Sequence, residues 1–190
     1  MGPGRATRLA VCAVALIAAL ALAACGSEEE PGVEEPAREG LAIDVGGIDY
    51  NVFLTRELNL AITPDVAYYD GPPAGLGRAL YGVFLRACNE GDEPRVSASQ
   101  FHVEDNQGNE FEPIELPPEN AFAYTARELP PGDCIPADGS VAQLGPIAAS
   151  MLLFDFPFEN TENRPLELTI DAGFDYAEGT REAKTVELDL

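Results

Sequence analysis

Few side chains in this 190-residue sequence can do chemistry: four cysteines, one histidine (His102) and one lysine (Lys184), set among 33 aspartates and glutamates. A single imidazole cannot build a His-rich zinc site or a two-His copper site. The chain has no Gly-x-Ser-x-Gly elbow, no phosphate-binding glycine loop and no Ser-x-x-Lys pair, so the familiar routes to an activated hydroxyl are missing. His102 lies in an alternating polar and apolar run and reads as a surface strand residue rather than a base. Carboxylate pairs arise by chance among so many acids, and a hydrolase would need two of them fixed in a cleft. The expectation is a non-catalytic protein that needs no cofactor, with an unrecognised carboxylate hydrolase as the remote alternative.

One stretch, Glu104-Asp105-Asn106-Gln107-Gly108-Asn109-Glu110, has the composition of a calcium loop. A twelve-residue loop needs glycine at its sixth position and a bidentate glutamate at its twelfth. Counted from Asp105, those positions hold Glu110 and Leu116, so the motif fails. A looser cation site from Asp105, Asn109 and Glu110 remains as a weak candidate, and a solvated hairpin turn is the plainer reading.

The N-terminus carries Arg5 and Arg8, an apolar run from Leu9 to Ala24, and then Cys25 followed by Gly26-Ser27 and acids. Sixteen residues rise only about 24 Å as a helix, short of a roughly 30 Å hydrocarbon core. With its basic flank and small residues at the end, the segment reads as an export signal rather than a single-pass anchor. Leu22-Ala23-Ala24-Cys25 resembles the bacterial lipoprotein box. That resemblance implies a diacylglyceryl group on the Cys25 thiol, cleavage before Cys25, and a domain tethered at the outer face of the cytoplasmic membrane. Two acyl chains hold a protein stably where one does so only marginally.

Removing residues 1–24 leaves 9 basic against 33 acidic residues, a net charge of −24. Such a body repels nucleic acid, and it also makes an acidic calcium-binding module an alternative function. Residues 25–40 hold six Glu, two Pro and almost nothing to bury, so they read as the lipidated cysteine and an extended, self-repelling linker.

From residue 41 to the end the pattern is one of short apolar segments separated by Gly, Pro, Asn and Asp, with no sustained helical period. An all-β domain over residues 41–190 follows. The predicted strands are Ile48 to Leu54, Leu80 to Cys88, Ser97 to Glu104, Glu110 to Ile114, Ala121 to Thr125, Ser150 to Phe156, Leu166 to Asp171 and Thr185 to Asp189. Leu80 to Cys88 is apolar on both faces, as a central strand should be. Ser140 to Leu144 can form one helical turn capped by Asp138 or Ser140. The two cysteines left in the domain, Cys88 and Cys134, are expected to form a disulfide in an oxidising compartment, with two separate buried thiols as the alternative.

Three motifs in order carry a family resemblance: the strand Tyr81-Gly82-Val83-Phe84-Leu85-Arg86-Ala87-Cys88-Asn89, the hairpin Asp105-Asn106-Gln107-Gly108-Asn109-Glu110-Phe111, and the turn Leu129-Pro130-Pro131-Gly132-Asp133. They resemble the telokin-like, immunoglobulin-like domains of bacterial extracellular lipoproteins. The resemblance implies an immunoglobulin-like antiparallel β-sandwich at the cell surface and supplies no catalytic residues. Cys134 and the prolines after it depart from the family pattern and leave the local topology open. Tyr68 and Tyr69, in a proline-bounded loop, together with Phe122 and Tyr124, form the candidate binding surface for a ligand or an envelope protein. The same aromatics can instead lid the open end of a sandwich.

Overall fold

The computed structural model describes residues 36–175 and 179–190. The expected export signal, Cys25 and the expected linker up to residue 35 lie outside the described residues. Among the described residues are twelve strands: β1 (Ala37–Arg38), β2 (Ala42–Val45), β3 (Ile48–Glu57), β4 (Arg78–Cys88), β5 (Arg95–Val96), β6 (Gln100–Asp105), β7 (Glu110–Phe111), β8 (Glu128–Leu129), β9 (Cys134–Ile135), β10 (Ser150–Pro157), β11 (Leu166–Asp175) and β12 (Thr180–Leu188). Two single-turn helices, α1 (Asp65–Tyr68) and α2 (Phe158–Thr161), interrupt them.

One large sheet has the order β1-β12-β11-β6-β7 and the other β10-β4-β3-β2, with β9 pairing the end of β4, while β5 and β8 form a separate two-stranded sheet. Period-two alternation sends Phe101, Val103, Leu166, Leu168, Ile170, Val186 and Leu188 inward from the first sheet. They meet Ile48, Tyr50, Val52, Val83, Leu85, Leu152, Phe154 and Phe156 from the second, and the two sheets form a β-sandwich. All strand pairs are antiparallel except β1 with β12.

That parallel pair moves the domain boundary. Ala37 and Arg38 lie beside Val186 and Glu187, and the Gly40 amide donates to the Val52 carbonyl at 2.7 Å. The compact unit therefore begins at Pro36 rather than at residue 41. Backbone pairing needs no apolar side chain, so composition gave no sign of it.

β4 is central, between β3 and β10, and its second face is buried too. Leu80 and Phe84 point away from the sandwich core into a separate cluster with Leu58, Tyr68, Met151 and Leu153. The segments between β3 and β4 and between β7 and β10 supply the cover. Gly82 makes room there, since a Cβ would meet Phe84 at 2.8 Å and the Met151 sulfur at 3.1 Å.

Cys88 and Cys134 are directly opposed on β4 and β9 and are joined as a disulfide, 46 residues apart in sequence. The bond lies within one sheet, unlike the inter-sheet bridge of antibody domains. Between the two cysteines Asn89, fully buried, ties the chain together: its side-chain amide donates to the carbonyls of Glu93 (2.7 Å) and Leu129 (2.8 Å). The expected helical turn after Gly139 is present, with the Leu144 amide on the Ser140 carbonyl and the Gln143 amide on the Ser140 hydroxyl. Ala121 to Thr125 differs from expectation: the Asn120 side chain turns the chain by accepting from the Phe122 amide, and Ala123 alone makes a bridge, to Met151.

Candidate binding cleft

The four candidate aromatics fall in two places: Tyr68, Tyr69 and Phe122 together, and Tyr124 apart from them. Tyr68 is 1% exposed, with its ring edge-on to Phe84 (4.9 Å) and Phe122 (4.8 Å). Tyr69 and Phe122 pack half-buried against the same cluster. They cover the outer face of the β4 sheet rather than the open end of the sandwich. The cover is pinned by Asp65, buried and bonded to the Arg56 guanidinium and the Asn59 amide, and by Asn120, whose side chain donates to the Tyr68 carbonyl at 2.8 Å. Tyrosine serves in a loop as an anchor or as a core residue, and nothing local in the sequence separates the two.

Tyr124 goes elsewhere. Its ring meets Phe101 edge-on at 5.0 Å and its hydroxyl donates to the Ala98 carbonyl at 3.0 Å. The Ala98 amide in turn donates to the Tyr50 hydroxyl at 2.6 Å, so two tyrosines bracket one residue. Burial pushes the Tyr124 hydroxyl far above the ordinary phenol range, with the neighbouring Tyr50 adding to it. Tyr50 is raised by burial as well.

Tyr124 and Phe101 border a cleft of about 500 Å³. Its origin is local. β7 is two residues long because Glu112 leads into Pro113, which has no N–H to continue a ladder. The chain then crosses from β7 to the outer edge of β10, where the Ile114 amide reaches the Leu153 carbonyl at 2.6 Å and the Tyr124 amide reaches that of Met151 at 3.0 Å. The crossing closes this side of the sandwich incompletely. The gap is lined by Ser99 and Phe101 on one sheet, Met151 and Leu152 on the other, and Ile114, Leu116, Thr125 and Ala126 from the crossing segment. Largely apolar walls with a few hydroxyls and a carboxylate, Glu115, suit a small ligand or an inserted side chain.

A second recess, of about 460 Å³, lies between Leu58, Asn59, Pro73, Arg78 and Leu80, with Glu57 at its wall. Each of these two larger recesses thus carries one carboxylate, not a pair. A smaller recess of about 210 Å³ gathers Asp44, Asp49, Glu90, Asp92 and Glu93 around the Arg95 side chain.

The weak cation set of Asp105, Asn109 and Glu110 is taken apart by the structure. Asp105 is 3% exposed, and its Oδ1 accepts from the backbone amides of Gln107 and Asn109, both at 2.9 Å. Its Oδ2 accepts from the side chains of Asn109 (2.8 Å), Asn160 (3.0 Å) and Asn163 (2.9 Å). Burial works to raise its pKa, but the donors from Asn160, Asn109 and Asn163 outweigh it and hold the carboxyl well below the usual range. A carboxylate so surrounded by N–H groups has no lone pair left for a metal. Its work is to fasten the β6–β7 turn to α2 and the residues just after it. The expected hairpin itself is present, with Gly108 at φ 80°.

Asp171, also buried, accepts from Arg181 Nε at 2.8 Å and from the Gly173 amide at 2.7 Å. The Arg181 bond, opposed by burial, holds its carboxyl below the usual range. Among the described residues no helix is long and apolar enough to cross a membrane.

No protein-family profile and no curated protein matches this chain. Solved structures do resemble the fold. The yjhA protein from Bacillus subtilis has 12% identity and a TM-score of 0.49, covering 80% of this chain and 99% of its own. An uncharacterized β-sandwich protein from Clostridium difficile 630 has 15% identity and a TM-score of 0.44, covering 84% and 100%. A functionally unknown protein from Listeria monocytogenes EGD-e has 7% identity and a TM-score of 0.47, covering 81% and 85%.

Proposed function

We propose that this chain is a bacterial surface lipoprotein, anchored through Cys25, whose β-sandwich is a non-catalytic binding module of the telokin-like, immunoglobulin-like kind. The cleft between β6 and β10 is where it takes its ligand or envelope-protein partner. The observation that carries this reading is the cleft itself: an opening of about 500 Å³ beside β6 and β10, walled by Phe101, Tyr124, Leu116 and Leu152. Pockets of this size and polarity are the usual places for small ligands and anchoring side chains. The lipoprotein box supplies the tether, and the acidic stretch after it holds the module off the anionic headgroups that its own charge repels.

The anchor is tested by intact-mass spectrometry of the chain recovered from membranes of a bacterium that makes it. The expected species begins at Cys25 and carries a diacylglyceryl mass, and Cys25→Ser loses both. A chain from membranes that retains Met1, or is cut elsewhere without lipid, removes the tether from the account.

The acidic recess around Asp44, Asp49, Glu90, Asp92 and Glu93 motivates a second reading, a calcium-binding module. Calcium should then raise the melting temperature at matched ionic strength, and an unchanged temperature discards this reading.

A further inference from the structure

We propose a first-row divalent metal site, of the zinc class, on the outer face of the β6–β7 hairpin, formed by His102, Glu104 and Glu110. One ligand atom from each, an imidazole nitrogen and two carboxylate oxygens, lies within 4.8 Å of both others. The backbone dictates the grouping. Glu104 and Glu110 are directly opposed across the hairpin, and His102 stands two residues before Glu104 on the same face of β6.

Three features set this group apart from a chance patch of surface acids. It contains the sole histidine of the chain, a borderline-soft nitrogen donor that zinc-class ions prefer and calcium does not. Its register is locked, because Asp105, the next residue on β6, is held by donors from Asn109, Asn160 and Asn163. The hairpin cannot slip to separate the two glutamates.

The third feature is an uncompensated row of like charge. Glu110 faces Glu104, Glu104 faces Glu167 on β11, and Glu167 faces Glu187 on β12. Arg38 pairs with Glu187 at the far end, but none of the ion pairs among the described residues engages Glu104, Glu110 or Glu167. Like charges directly opposed on a sheet destabilise it. A bound dication at the β7 end of the row removes that repulsion.

Zinc at about 2.0–2.2 Å from each donor needs ligand atoms roughly 3.3 Å apart, which small rotations of the exposed glutamates provide. Three protein ligands leave a fourth position open for water or an incoming group.

The sole histidine makes the test direct. The full-length chain, with Cys12→Ser and Cys25→Ser to remove free thiols, is labelled with ¹⁵N-histidine in detergent and titrated with Zn²⁺ while the imidazole nitrogens are followed by NMR. The expected result is a saturable shift at one Zn²⁺ per chain, not reproduced by equal Ca²⁺. Glu104→Gln and Glu110→Gln should each weaken binding at least tenfold, while Glu159→Gln leaves it unchanged. Glu110→Gln should also raise the melting temperature of the metal-free chain, which shows that this variant folds. Imidazole signals that stay fixed at millimolar Zn²⁺, or that move equally in the glutamine variants or with Ca²⁺, overturn the proposal.

Discussion

Asp105 and Asn163 stand 58 residues apart in sequence, yet the Asn163 side chain donates to Asp105 Oδ2 at 2.9 Å. With Asn109 and Asn160 on the same carboxylate, this contact ties the hairpin after β6 to α2 and the chain just after it. The carboxylate is a fastening, and its chemistry is used up in holding the fold.

Asp105→Ala should therefore lower stability by about 2 kcal/mol or more, since it removes several bonds to a buried charge and strands three asparagine amides. The pH dependence has a definite sign. The folded-state pKa is lowered, so the stabilisation is present above the unfolded-state carboxyl pKa and is lost as pH falls below it. Urea unfolding between pH 7 and pH 3 should show a shallower loss of stability in Asp105→Asn than in the parent.

The tyrosines give the opposite limb. Tyr50, Tyr68, Tyr81 and Tyr124 all have raised pKa values, with burial the first cause. Their neutral forms are favoured only in the folded state, so stability is constant with respect to them below pH 10 and falls above it. Absorbance titration should show part of the tyrosine ionising only together with unfolding, and Tyr124→Phe should shrink that fraction.

Tyr68 separates its ring from its hydroxyl. The ring is packed between Phe84 and Phe122, whereas the buried hydroxyl has no hydrogen-bond partner among the described residues. Tyr68→Ala should lose about 3–5 kcal/mol, and Tyr68→Phe should lose nothing or gain stability, as read from urea midpoints.

The disulfide closes a separation of 46 residues, for which chain entropy gives a contribution of about 4 kcal/mol. Cys88→Ala with Cys134→Ala should lower stability by up to that amount while leaving the strand content by circular dichroism in place, because β4 is paired on both sides without β9.

What was legible in the sequence follows from these same residues. Alternation placed β6 and β11, because inward side chains of a sandwich must be apolar every second residue, and apolar residues on both faces marked β4 as central. The Asp105–Asn109 turn announced itself through residues that tolerate positive φ. β1 and β9 did not, being two-residue segments held by backbone bonds and, for β9, by Cys134. The fate of Tyr68 and Tyr69 also stayed hidden, since their burial depends on a second layer contributed by a segment some fifty residues later. Asn160 and Asn163 carried a faint signal, an Asn-x-x-Asn spacing at the end of a strand, that gains meaning only beside Asp105.

Whether the tethered module binds through the cleft beside Phe101 and Tyr124 is decided by photo-crosslinking on intact cells. Benzoylphenylalanine replaces Thr125, an exposed residue of the cleft wall, and Glu159 on α2 serves as the control position. A discrete adduct is expected from Thr125, not from Glu159, and it should disappear when Cys25→Ser frees the chain from the surface. Equal or absent adducts at the two positions would contradict binding through the cleft.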